Sequence, residues 1–210
     1  MLEDFLKKRK SVAVVGLGYV GLPLAVELAK VFNIIGFDIK KQRIDELSKG
    51  IDSTGEVSKK ELKSLKIDFT NNPNKILGAS VIIIAVPTPI DEHKIPDLLP
   101  LKSASEIVGK YLRKGAVVVY ESTVYPGVTE EICIPIVEKF SGMRCGRDFS
   151  VGYSPERINP GDKTHRLSNV IKVVSAQDKK TTDLLAGIYG AVVKAGIHKA
   201  PNIKTAEAAK

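Results

Sequence analysis

Residues 11–38 read SVAVVGLGYVGLPLAVELAKVFNIIGFD, and this stretch narrows the possible folds most. A short apolar run, residues 12–15, meets the turn Gly16-Leu17-Gly18-Tyr19-Val20-Gly21. A helical pattern follows to about residue 31, then a second apolar run, residues 34–37, ends at Asp38. Strand, glycine turn, helix, strand and acid in this order make a dinucleotide-binding unit. Gly16 allows the tight turn out of the strand. Gly18 lacks a Cβ, so the backbone can approach a pyrophosphate. Gly21 lets the helix pack closely on the strand. The pyrophosphate then meets the N–H groups and positive dipole end of the new helix. Asp38 stands seventeen residues after Gly21. Its carboxylate can accept from both hydroxyls of an adenosine ribose and repels a 2′-phosphate, which predicts NAD rather than NADP as the cofactor.

Composition removes several alternatives. The 210 residues suit one domain with extras or two small ones, and 43% hydrophobic residues are enough for a core. No apolar run approaches the roughly 20 residues of a membrane helix, so no membrane partner is expected. The start, MLEDFLKKRK, lacks the apolar stretch of a signal peptide and reads as a short helix or lead-in. Cys133 and Cys145 form neither a disulfide framework nor a zinc site, and the three histidines have no metal or triad spacing. The expectation is therefore cytoplasmic, with no metal. The net charge of +8 is spread over scattered lysines rather than one block with aromatics, so nucleic acid is not the expected partner. A modest positive field suits an anionic substrate.

Apolar runs alternate with helical patterns along the rest of the chain. Strands are predicted at residues 67–70, 81–86, 116–120, 149–153, 170–174 and 192–195. Helices are predicted at residues 40–48, 58–65, 100–111, 128–140 and 178–189. This alternation implies an α/β, Rossmann-like, doubly wound and mostly parallel sheet covered on both faces. The loop at residues 87–100 holds four prolines and is placed along the carboxyl edge of the sheet, where such folds bind ligands. After Pro201, strong helix formers run to Lys210 without a stop signal, as at the start of a longer helix.

Four more segments fall where a substrate would meet a cofactor. Ala85-Val86-Pro87-Thr88-Pro89 ends an apolar strand with a rigid turn and a hydroxyl. Glu121-Ser122-Thr123-Val124-Tyr125-Pro126-Gly127-Val128-Thr129 joins a strand to a helix; Ser122 and Thr129 also suit helix caps. Tyr153-Ser154-Pro155-Glu156-Arg157-Ile158-Asn159-Pro160-Gly161 places Glu156 just past a strand end, as a general base or as half of a surface Glu–Arg pair. Glu207-Ala208-Ala209-Lys210 is a helical segment whose lysine would ordinarily be solvated. Nothing beside Cys145 but scattered arginines would activate it as a nucleophile.

VVGLGYVGLPLA, AVPTP, ESTVYPGVTE, GYSPERINPGDK and AEAAK, in this order, resemble the nucleotide-sugar dehydrogenases that oxidise UDP-sugars at C6. The resemblance covers nearly the whole chain, and YSPERINPG is similar to the branch acting on UDP-N-acetylhexosamines. It implies a UDP-sugar substrate, NAD, a homodimer and a place in polysaccharide biosynthesis. It puts Tyr19 and Val20 at the pyrophosphate, Asp38 and Arg43 at the adenosine ribose, and Pro87, Thr88, Ser122 and Thr123 at the nicotinamide half. It implies that Glu156 assists the water hydrolysing a thioester, that Arg157 and Ile158 touch the sugar nucleotide with Glu156, and that Lys210 stabilises an oxyanion, giving Thr123, Glu156 and Lys210 catalytic roles. The family's nucleophilic cysteine lies in a Gly-rich segment that neither Cys133 nor Cys145 matches. Residues 1–200 are thus expected to form the NAD-binding domain and residues 201–210 the start of an interdomain helix, with the UDP-binding domain and nucleophile elsewhere. A hydroxyacid dehydrogenase of the 6-phosphogluconate type and an NAD-binding module without turnover are the alternatives.

Overall fold

The computed structural model of the chain describes residues 2–90, 92–93, 95–156 and 169–210. In chain order the elements are α1 (Leu2–Leu6), β1 (Ser11–Val15), α2 (Gly21–Ala29), β2 (Asn33–Phe37), α3 (Lys41–Ser48), α4 (Lys59–Ser64), β3 (Ile67–Thr70) and β4 (Ala79–Ile84). They continue with α5 (Leu99–Lys110), β5 (Val117–Tyr120), α6 (Ile134–Ser141), β6 (Ser150–Tyr153), β7 (Lys172–Ala176), α7 (Lys179–Gly190), β8 (Ile197–Lys199) and α8 (Ile203–Ala208). The strands form one sheet in the order β3-β2-β1-β4-β5-β6-β7-β8. All neighbours are parallel except β6 and β7.

The sheet is covered on both faces, and β1 shows why its sequence is apolar throughout. Val12 and Val14 join the core shared with α1, α2, α3, α4 and α7, while Ala13 and Val15 join the core shared with α5, α6 and α8. β4 does the same, with every residue buried. A fully buried Val or Ile contributes about 1.5–3 kcal/mol, so these central strands anchor the fold. Helix ends are set locally: Ser58 and Glu61 form a capping box on α4, and Asp178 accepts from Thr181 N–H at the start of α7.

The order reverses between β1, followed outward by β2, and its other neighbour β4. That switch point opens a crevice at the carboxyl ends of the strands. The antiparallel β7 enters the sheet from the other direction, so its first residue, Lys172, lies at this same edge.

Two sequence expectations are corrected, and one turn appears where none is predicted. No strand forms at residues 192–195; Val193 is buried against the core at the end of α7, and the strand is the polar Ile197–Lys199 after the left-handed Gly196. The helix expected at residues 128–140 opens with a π turn, Thr129–Cys133, before α6. A 3₁₀ turn at Pro73–Gly78 carries no strong sequence signal, yet it buries Ile76.

Candidate active site

The glycine turn is built as its three glycines require. Gly16 has φ +90°, and a Cβ there would lie 2.9 Å from the Ala85 carbonyl oxygen. A Cβ on Gly21 would come within 1.9 Å of the Gly16 carbonyl oxygen, so α2 could not approach the turn with any side chain there. A Cβ on Gly18 would meet nothing within 4 Å. The outer side of the turn is therefore an open cradle, and Gly18 needs no left-handed backbone. No side chain caps the amino end of α2, which begins beside that cradle. This is the fit that a pyrophosphate requires.

Asp38 braces the turn from the end of β2. One carboxylate oxygen accepts from Leu17 N–H at 2.9 Å and the other from Lys40 N–H at 2.9 Å. A carboxylate offers about four lone-pair sites, so ribose hydroxyls can still be accepted. Arg43 acts from α3. Its guanidinium is buried and donates to the Leu17 carbonyl at 2.9 Å, to Ser53 at 3.1 Å and to Asp52 at 2.7 Å. Its contacts thus brace the same turn. Both residues line a cavity of about 960 Å³ that also touches Gly16, Gly18, Ile39 and Pro87.

A second cleft of about 280 Å³ shares Gly18, Val86 and Pro87 with that cavity. It brings together Tyr19, Val20, Thr88, Ser122, Thr123, Glu156 and Lys210, residues from five separate chain segments. The loops leaving β4 and β5 are tied across it: Thr88 Oγ1 donates to the Thr123 carbonyl at 2.7 Å, and Ser122 Oγ to the Val86 carbonyl at 2.6 Å. Ser122 is thus a strap between two loops rather than a helix cap. Arg157 and Ile158 lie outside the described residues.

The floor of the cleft holds residues to which the sequence reading gives no role. Glu121, at the end of β5, is fully buried and lines the cleft. Its Oε1 accepts from Tyr189 OH at 2.5 Å and lies 3.3 Å from Lys172 Nζ; its buried Oε2 has no hydrogen-bond partner among the described residues. Lys172 Nζ also lies 3.5 Å from Glu156 Oε2 and donates to the Pro155 carbonyl at 3.3 Å. Burial pushes the Glu121 carboxyl above its ordinary range despite the pull of Lys172. Burial also penalises the Lys172 ammonium, but the two glutamates outweigh it and hold its pKa up. A lysine inside the apolar run VIKVVSA is a signal of burial that the sequence reading passed over, and it does not reveal the partners.

Lys210 reaches the cleft because α8 is fastened at its other turn. Asn202 caps the helix by accepting from Thr205 N–H, and Ile203 and Ala206 are buried. Glu207 then accepts from Gly127 N–H at 2.6 Å and Thr129 N–H at 2.9 Å, while Lys204 pairs with Glu131 at 2.8 Å. This segment is therefore fastened to the sheet domain ahead of Lys210. The cysteines stay outside the site: burial pushes the Cys133 thiol up to about 12 and that of Cys145 up to about 11.

Residues 10–193 match the model of the UDP-glucose/GDP-mannose dehydrogenase family, NAD binding domain. The chain belongs to this family. NAD is the cofactor of this family's NAD-binding domain, in keeping with the glycine cradle and the crevice. The chain is 57% identical over 204 residues to a UDP-N-acetyl-D-glucosamine 6-dehydrogenase of Pseudomonas aeruginosa, covering 97% of the chain and 48% of that protein. It is 56% identical over 201 residues to Protein CapL of Staphylococcus aureus, covering 96% and 47%. Among solved structures, the UDP-D-ManNAc dehydrogenase of Pyrococcus horikoshii superposes with a TM-score of 0.87 at 33% identity, covering 95% of the chain and 49% of that structure. The chain therefore spans about half the length of the family members it matches.

Proposed function

We propose that this chain is the cofactor half of an enzyme that oxidises a UDP-N-acetylhexosamine at C6 to the uronate in two NAD-dependent steps. The observation that carries the reading is the meeting of Thr123, Glu156 and Lys210 in one cleft against the glycine turn. The names of relatives at 52–57% identity, UDP-N-acetyl-D-glucosamine 6-dehydrogenases, support the substrate class. Matches that span about half of each relative support a reading in which the uridine-binding half and a nucleophilic cysteine lie outside residues 1–210. Residues 1–200 serve as the NAD-binding domain and residues 201–210 begin the helix leading away from it.

The glycine turn and the start of α2 receive the pyrophosphate, Asp38 and Arg43 flank the adenosine ribose, and Pro87, Thr88, Ser122 and Thr123 border the nicotinamide half. When bound, NAD supplies the hydride acceptor for both oxidations. The aldehyde formed first is captured by the cysteine, and its oxidation leaves a thioester; covalent capture divides a four-electron oxidation into smaller steps. Lys210 places positive charge beside the oxyanion that develops on the substrate carbonyl. In the last step water attacks the thioester carbon. Glu156 takes one water proton, the carbon–sulfur bond breaks, and the departing thiolate takes the other proton, leaving the carboxylate. Arg157 and Ile158 contact the sugar nucleotide beside Glu156. A cytoplasmic homodimer serving polysaccharide synthesis is the setting we propose with it; light scattering on the full-length protein tests the dimer.

The experiment is Glu156→Gln in the full-length protein, mixed with NAD and UDP-N-acetylglucosamine. A covalent protein–sugar adduct accumulates and is seen by mass spectrometry, while the first hydride transfer is less affected. Unchanged turnover without an adduct removes Glu156 from the mechanism.

A further inference from the structure

Glu121 is the cleft residue to which the proposed chemistry gives no task. Its side chain is fully buried, directly ahead of Ser122 and Thr123, and the residue lines the cleft. One of its oxygens is engaged: Oε1 accepts from Tyr189 OH at 2.5 Å and lies 3.3 Å from Lys172 Nζ. The other, Oε2, is buried and has no hydrogen-bond partner among the described residues. A buried acceptor without a donor is destabilising, and more so on a charged group. Such an atom calls for an explanation in what the site does.

The neighbouring donors are already committed. Lys172 carries three N–H groups and faces three oxygens: Glu121 Oε1, Glu156 Oε2 at 3.5 Å and the Pro155 carbonyl at 3.3 Å. Tyr189 has one O–H, and it goes to Oε1. Ser122 Oγ donates elsewhere, to the Val86 carbonyl at 2.6 Å. A donor for Oε2 has therefore to come from what enters the cleft.

The glycine cradle narrows what that is. Gly18 and Pro87 belong both to this cleft and to the cavity that holds Asp38 and Arg43. A dinucleotide with its pyrophosphate on the cradle and its adenosine ribose at Asp38 puts its other half in the cleft. That half ends in the nicotinamide ring, whose one N–H donor group is the carboxamide NH2. An ionised carboxylate accepts from such a group and has no proton to give it.

We propose that Glu121 is a cofactor-binding residue: its Oε2 accepts from the carboxamide NH2 of the nicotinamide, while Tyr189 and Lys172 hold the carboxylate in place through Oε1. This rests on the placement of the nicotinamide half proposed above. Anchored at its carboxamide, the ring keeps one rotation about its glycosidic bond and turns one face to the substrate. The unpartnered oxygen is then the acceptor that the cofactor completes.

The test is calorimetry on the full-length protein with NAD and with acetylpyridine adenine dinucleotide, which keeps the carbonyl on the ring but has a methyl group in place of the NH2. The wild type binds NAD about tenfold or more tightly, because a site built to accept from an N–H group rejects an analogue without one. In Glu121→Gln the amide oxygen takes the place of Oε1 before Tyr189 and Lys172, and the amide NH2 takes the place of Oε2. NAD then binds about tenfold or more weakly, the analogue changes by less, and the ratio falls toward one. Equal binding of both by the wild type overturns the proposal without any variant, so the test survives a Glu121→Gln protein that does not fold. A neutral carboxyl gives that same result, since it donates to a carbonyl that both dinucleotides carry. A Glu121→Gln protein with a lower melting temperature and the wild-type ratio would show a carboxylate kept for packing or for water, and overturns the proposal equally. Gly18→Val separates this from the cofactor placement: normal NAD binding there removes the placement and this proposal with it, whereas lost binding there and an unmoved ratio in Glu121→Gln removes this proposal alone. The readout needs no turnover, so it is independent of the outcome of Glu156→Gln.

Discussion

At the scale of single residues, the glycine turn shows how much of a site can rest on what a side chain would hit. Gly16 and Gly21 are fixed by neighbours that a Cβ would strike, so the fold itself requires them. Gly18 is different: the space beside it is open, and the ligand is what would be struck. Gly18→Val is therefore expected to keep the melting temperature within a few degrees of wild type while removing NAD binding in calorimetry. Normal binding by this variant would show that the pyrophosphate lies elsewhere. Asp38 leads to a second outcome. Its charge next to a 2′-phosphate makes NAD favoured over NADP by about 10- to 1000-fold, and Asp38→Ala narrows the ratio. Equal affinity of the wild type for both would contradict this role. These residues were legible as candidates because their spacing singles them out. Glu121 and Lys172 were not, since their meeting depends on a strand reversal that no local pattern announces. The cysteines give a pH-dependent check. With the Cys133 thiol pushed up to about 12, only about one molecule in ten thousand carries the thiolate at pH 8. Iodoacetamide should label it on the order of a thousandfold more slowly in the native chain than after unfolding, and faster as the pH rises. Prompt native labelling at pH 8 would mean an activated thiol.

At the scale of elements, α8 matters more than its six residues suggest. Glu207 accepts two backbone N–H groups at the start of the segment leading into α6, next to the left-handed Gly127. One carboxylate thereby joins α8, which leads to Lys210, to the loop that carries Ser122 and Thr123. Glu207→Gln replaces one accepting oxygen with an N–H donor facing a backbone N–H, which costs about 1–3 kcal/mol. A lower unfolding midpoint in urea checks it, with weaker NAD binding as the loop loosens; an unchanged midpoint would show that the link carries no stability. The sequence already placed β1, α2, β2, α3 and α5 within a residue or two, because each is long or strongly apolar on a known period. It missed β8 because an edge strand reading Ile197-His198-Lys199 pairs only with β7 and has no apolar face to signal it. It also placed the end of β4 too late, at Val86, whose carbonyl leaves the sheet to accept from Ser122 instead.

At the scale of the molecule, the doubly wound sheet was legible from the alternation of elements. The sequence could not show which side chains the strand order would gather into one cleft. Pro87, Thr88, Thr123, Glu156 and Lys210 are spread over more than half the chain and become neighbours only because β4, β5 and β6 lie side by side. That gathering sets the three side chains proposed to act in catalysis beside the glycine cradle. The chain of residues 1–210 is therefore expected to bind NAD while forming no reduced nicotinamide from UDP-N-acetylglucosamine, UDP-N-acetylgalactosamine or UDP-glucose. Holding two reactants in place is worth on the order of 10⁵-fold or more in rate, and covalent capture adds to it, so losing both leaves nothing measurable. NAD binding by calorimetry and the absorbance of reduced nicotinamide, recorded on the same preparation, make the check. Binding without turnover is the expected pair of results. Clear turnover would assign the nucleophile to Cys133 or Cys145 against their raised thiol pKa values, and the substrate site to this chain alone.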